Sequence, residues 1–193
     1  MIDKSEFNKI RNEMNKLEEC REEVIQTSRE VINLSKQIIY ATQRDDMKSA
    51  ASAIKKIKEK VKKLRNINPS TETNINAVAF QEYVEAIAFY KFLKFNRIPT
   101  KASLGVSAES YLSGICDLTG ELVRKAVHDV IHKKFDEAKK IKEFVHDIYG
   151  EFLKLHLRNS ELRRKSDSIK WNLKKLEEVM YDISLKGKIN ENN

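Results

Sequence analysis

A chain of 193 residues with only 5 Gly and 2 Pro has few places to reverse direction, which leaves little room for β-hairpins. Hydrophobic residues at 40% beside charged ones at 34% describe long amphipathic helices and exclude a disordered chain. The formal charge of +8 points to a polyanionic partner, nucleic acid first, although a lysine-rich solvated helix gives the same excess.

A first helix is predicted over residues 5–41, where Phe7, Ile10, Met14, Leu17, Val24, Val31, Leu34 and Ile38 keep a helical beat. A second covers 45–65. Residues 66–71 read as a turn around Pro69, a third helix spans 74–96, and Pro99 closes it. Residues 97–106 form a loop, after which Ser107 caps a helix with Glu109 in its first turn. The last periodic segments are 135–157 and 160–183, the final one ending before Gly187 and leaving 188–193 as a frayed tail.

These elements make residues 1–193 a single all-α domain, an antiparallel bundle of six to seven long helices. The first helix exceeds what one core covers, so its leftover apolar surface is expected to meet a neighbouring subunit. Cys20 and Cys116 lie far apart and the chain opens with polar residues, which suits a reduced, cytoplasmic setting. No apolar run approaches the roughly 18 residues needed to cross a bilayer, so no membrane role is expected.

Four acids interrupt apolar helix faces. Glu82 and Glu85 share a line with Val78, Phe89 and Phe92, while Asp117 and Glu121 border the apolar line of Tyr111, Ile115, Leu118 and Leu122. Ionised carboxylates in such places cost energy unless positive charge compensates them. One solution is local ion pairing, Asp117 and Glu121 with Arg124 and Lys125. The other is convergence of all four around Mg2+ or Mn2+, which oxygen donors suit and which can orient a phosphodiester and lower the pKa of bound water.

Gly114 and Gly120 stand inside the same helix at about 1 kcal/mol each against Ala, which marks a close approach by a ligand or by a crossing helix. Cys116 is expected in the core. His128 and His132 have the i, i+4 spacing of paired zinc ligands, but Asp129 stands where a metalloprotease motif has Glu, leaving a solvated or RNA-facing role.

Basic residues concentrate at Lys55, Lys56, Lys58, Lys60, Lys62, Lys63 and Arg65 on the second helix and at Arg158, Arg163, Arg164 and Lys165 near the last. With Arg124 and His128 these are the candidate phosphate contacts, the alternative being solvated faces around Ile54, Ile57, Val61 and Leu64. Phe89, Tyr90, Phe92 and Phe95 could stack on bases, and core packing is expected for most of them.

At these residues the chain resembles the translin and TRAX (translin-associated factor X) family over most of its length. Tyr111-Leu-Ser-Gly114, Ser160-Glu-Leu-Arg-Arg-Lys165 and the run from Lys174 to Gly187 look like translin, as do Arg21-Glu-Glu-Val24 and Arg29-Glu-Val31 in the first helix. Gln81-Glu-Tyr-Val-Glu-Ala86 and Asp117-Leu-Thr-Gly-Glu121 look like TRAX, the partner that carries a nuclease site. The resemblance implies an all-helical subunit of a closed, hollow, usually octameric shell that handles single-stranded nucleic acid. It places TRAX's acidic catalytic residues on Glu82, Glu85, Asp117 and Glu121. One departure is Ser70-Thr-Glu-Thr-Asn-Ile-Asn76, which lacks the Arg and His of translin's nucleic-acid segment.

The expected function is a homo-oligomeric, Mg2+- or Mn2+-dependent endoribonuclease on single-stranded RNA, with single-stranded DNA as a further ligand and no separate catalytic subunit required. The alternatives are a non-catalytic single-strand-binding protein of translin type and a structural helical scaffold.

Overall fold

A computed structural model describes residues 3–67, 74–158 and 161–191, with backbone alone for Asn74 and for 186–191. The elements in order are α1 (Lys4–Gln43), α2 (Met47–Asn66), α3 (Asn74–Phe95), the single turn α4 (Lys101–Leu104), α5 (Ala108–Ile131), α6 (Phe135–Leu153) and α7 (Glu161–Glu191). No strand occurs among the described residues. The chain divides into two compact units, Met1–Tyr90 and Lys91–Asn193, with the boundary inside α3.

In the first unit, α1 and α2 form a hairpin closed by Arg44, Asp45 and Asp46. Asp45 takes a left-handed φ of 61°, a conformation Asp tolerates, and the Asp46 carboxylate accepts from the Ser49 amide at 3.0 Å to start α2. Hydrogen bonding from the Ser49 side chain, and then from its backbone amide, holds the Asp46 carboxyl below its usual range. Along α1, Val24, Val31 and Ile38 recur every seven residues and are buried with Ser28, Ser35 and Thr42. Two ion pairs tie the helices across the surface, Lys60 to Glu30 at 2.5 Å and Lys63 to Glu23 at 2.8 Å.

Helix lengths decide what stays uncovered. With 40 residues α1 runs about 60 Å, whereas α2 with 20 runs about 30 Å and flanks only half of it. Phe7, Ile10, Met14 and Leu17 therefore remain between 41% and 59% exposed, although they continue the seam that Val24, Val31 and Ile38 bury. The periodicity that predicted the helix is correct, and its burial stops where the partner stops.

The first-unit part of α3 is apolar on every side from Tyr83 to Tyr90, and all eight residues are buried, as a helix without a polar face must be. Glu85 is the one charged residue in that run.

In the second unit α5, α6 and α7 pack against one another. Ile115, Leu118, Leu122 and Ala126 of α5 meet a core completed by Ala138, Ile141, Val145 and Ile148 of α6 and by Leu162, Ile169, Leu173 and Leu176 of α7. Phe92 stacks on Phe144 with ring centroids 4.2 Å apart. Ser107 caps α5 as expected, its hydroxyl accepting from the Ser110 amide at 3.0 Å.

Several boundaries differ from the sequence reading. Residues 97–106 contain α4, because Thr100 caps a turn that Gly105 ends at φ 61°. The sixth helix stops at Leu153 rather than at 157. The last runs through Gly187 to Glu191, since a single Gly weakens a helix without ending it. The turn expected at 66–71 falls mostly outside the described residues, as do Ser160 and the end of the tail.

The C-terminal turn of α5 holds a buried ion pair, Lys125 with Asp129 at 3.2 Å, and the Asp129 carbonyl accepts from the amides of His132 and Lys134. Removing Asp129 takes one of its partners from the buried Lys125 and leaves an imbalance of charge there. Asp129→Ala is expected to cost about 3 kcal/mol, read by chemical denaturation; a loss under about 0.5 kcal/mol would show that the pair is not structural.

Candidate acidic site and nucleic-acid interface

Asp117 lies on the α5 line beside the core and is half-buried. Lys165 of α7 donates to its Oδ2 at 2.5 Å. Two residues on, Thr119 donates its hydroxyl proton to the Cys116 carbonyl at 2.7 Å and accepts from Asn172 Nδ2 at 2.8 Å. Two polar contacts two residues apart on α5, and about two turns apart on α7, thus fix the register between these helices. Glu121 stands 3.7 Å from Arg124 of its own helix, with the guanidinium largely in solvent, and it has a further partner.

The pairing differs from the sequence reading. Arg124 does meet Glu121, Lys125 meets Asp129 among its partners, and the cation on Asp117 comes from 48 residues away. Local spacing could not reveal Lys165; the Lys125–Asp129 pair was legible at i, i+4.

On α3, Glu85 is 8% exposed and Glu82 half-buried, and both carry interactions with other residues. Among the described residues no three His, Cys, Asp or Glu side chains are grouped so as to hold a metal ion.

Gly120 does not mark a tight crossing. A Cβ built there meets nothing nearer than Asn172 Nδ2 at 3.9 Å, an ordinary contact, and the residue faces solvent beside Asp117 and Glu121.

His128 and His132 stack with centroids 4.2 Å apart, and His132 Nδ1 is 2.8 Å from the His128 carbonyl. This geometry closes the C-terminus of α5. Of the aromatics near Glu82 and Glu85, Phe89, Tyr90 and Phe92 are buried, whereas Phe95 is exposed with Lys94 and Arg97 over its ring at 5.4 and 6.0 Å.

Lys55, Lys56, Lys58, Lys62, Lys63 and Arg65 all lie exposed on α2. Lys63 is answered by Glu23, whose hydrogen bond pushes the ammonium pKa up, and Arg65 also has a partner. Arg163 pairs with Asp167 at 3.5 Å, while Arg164 is exposed.

Comparison with known proteins fits this helical chain. A family model described as Translin family matches residues 19–187. Translin of Gallus gallus is 39% identical over 79 residues, 41% of this chain and 34% of that protein. Translin-associated protein X of Pongo abelii is 26% identical over 140 residues, 55% of this chain and 48% of that protein. The match to the translin thus spans about a third of that relative's length. The solved structure of apo-NeC3PO is 34% identical, with a TM-score of 0.86 over 94% of this chain and 97% of that one.

Cys116 is buried, and burial, reinforced by the neighbouring Asp117 charge, pushes its thiol up to about 12 from an ordinary 9.0. Its folded pKa is raised, so the stability it contributes is complete below about pH 9 and is withdrawn as pH climbs toward 12. At neutral pH an alkylating reagent is expected to modify half-buried Cys20 and spare Cys116 until the chain unfolds. Equal labelling of both in the native protein, followed by mass spectrometry, would contradict this placement.

Proposed function

This chain belongs to the Translin family, and from that premise we propose that it is a homo-oligomeric, Mg2+- or Mn2+-dependent endoribonuclease acting on single-stranded RNA. The observation that carries the reading is the retention of acids where apolar residues would pack at less cost. Glu85 is buried in a helix run that is otherwise uncharged, and Asp117 draws a lysine from another helix. Glu82, Glu85, Asp117 and Glu121 are the oxygen donors that would hold such an ion, since hard divalent cations take oxygen ligands.

A cation held there supplies Lewis acidity, lowering the pKa of water and neutralising charge that develops on phosphate oxygens. The rest falls to the chain itself. One glutamate accepts a proton from the attacking water. Lys165, paired with Asp117 here, would be available to a phosphate oxygen if Asp117 served as a ligand to the cation. Lys55, Lys56, Lys58, Lys62 and Arg164, all exposed, hold the strand through its phosphates.

The uncovered stripe of Phe7, Ile10, Met14 and Leu17 supports assembly into a homo-oligomer, which we take to be an octamer, with no separate catalytic subunit. No described helix is long and apolar enough to cross a membrane. The cytoplasm is the proposed location.

One observation favours a second reading. Lys165 already compensates Asp117, as in a non-catalytic protein of translin type that only binds single-stranded RNA or DNA.

A cleavage assay separates the two. The parent is expected to cut a single-stranded RNA with Mg2+ or Mn2+ and to stop on chelation, while Glu85→Gln and Asp117→Asn cut roughly a hundred-fold more slowly or worse. Variants that cut as fast as the parent would contradict the site assignment; RNA bound but left intact by the parent would establish the second reading.

A further inference from the structure

Trp171 stands 64% exposed on α7 in a concentration of positive charge. Between Arg163 and Lys175 that helix carries six cations, Arg163, Arg164, Lys165, Lys170, Lys174 and Lys175, against one acid, Asp167. Asp167 answers Arg163 at 3.5 Å, Asp117 answers Lys165, and Glu178 answers Lys175 at 3.5 Å. Arg164, Lys170 and Lys174 have no acid partner among the described residues.

Helical spacing gathers these groups. Arg164 lies seven residues before Trp171 and Lys174 three after it, so both share its side of the helix. The Lys174 ammonium stands 5.9 Å from the indole centroid. The next residue, Asn172, is fixed to Thr119, which holds the indole at a set level beside the α5 turn that carries Asp117. A solvated lysine-rich face has no use for an indole, the side chain with most to gain from leaving water.

We propose that Trp171 is a stacking platform for a base of a single-stranded nucleic acid whose phosphates are held by Arg164 and Lys174. The inference rests on the RNA-handling reading above and adds the residue that would seat the strand beside the acids. Charge selects the occupant. The local surplus, six cations against one acid around an exposed indole, matches a polyanion whose every base has a π-face. Stacking of this kind tolerates any sequence, so the platform confers affinity and register without base preference.

Trp171 is the single tryptophan of the chain, so intrinsic fluorescence reports on this ring alone. The probe is a single-stranded oligouridylate added with a chelator present so that no strand is cut. Tryptophan emission is expected to quench to saturation along the same curve as the anisotropy of a labelled copy of the oligonucleotide. Trp171→Ala is expected to bind roughly 5- to 150-fold more weakly, with Trp171→Phe recovering most of the loss and both variants keeping the parent's mass and helix content. Binding with unchanged emission and with parental affinity in Trp171→Ala would overturn the inference while leaving the proposed function intact. Emission that shifts with protein concentration and not with RNA would assign the face to a second copy and overturn it as well. Absence of any RNA binding would remove the proposed function together with the inference.

Discussion

A carboxylate half-withdrawn from water has to be answered by positive charge, and at Asp117 the answer comes from Lys165. Much of the second unit is organised by that requirement. The pair joins α5 to α7 at one level, and the Asn172 to Thr119 hydrogen bond joins them again two turns further along α7. The two contacts hold α7 against α5 while Ile169 and Leu173 are buried in the same unit as Ile115, Leu118 and Leu122. A single half-exposed ion pair contributes little to stability, so its weight lies in position more than in energy.

The same requirement links the fold to the proposed chemistry. In the proposed chemistry a divalent cation would replace Lys165 on Asp117, and the released ammonium would be available to a phosphate. Around this point the exposed side of α7 carries more cations than it has acids, with an indole among them, while α2 presents a second row of lysines. Both are surfaces on which a polyanion gains by displacing counterions.

How much of this was legible in the sequence follows from the range of each interaction. The helices were readable because Val24, Val31 and Ile38, or Ile141, Val145 and Ile148, repeat at helical spacing, and the cap at Ser107 was readable because it acts three residues away. The acids were readable as intruders in apolar lines. Arg124 beside Glu121 was readable at i, i+3, but Lys165 on Asp117 and Asn172 on Thr119 were not, since both are distant in sequence and only tertiary packing sets them against α5. Gly120 misled for a related reason: a glycine in a helix signals space, and here that space is open to solvent instead of filled by a neighbouring helix. The exposed stripe of α1 was half legible, because periodicity shows which side is apolar but not where α2 ends.

The account stands or falls on whether Asp117 and Glu121 share one hard cation with Glu82 and Glu85. Manganese binding followed by electron paramagnetic resonance on the intact protein tests this without any RNA. The account predicts that bound Mn2+ is lost or weakened at least ten-fold in both Asp117→Asn and Glu82→Gln, and that the two changes together do no more than either alone, as expected of ligands to one ion. Mn2+ bound with parental affinity by both variants would contradict it.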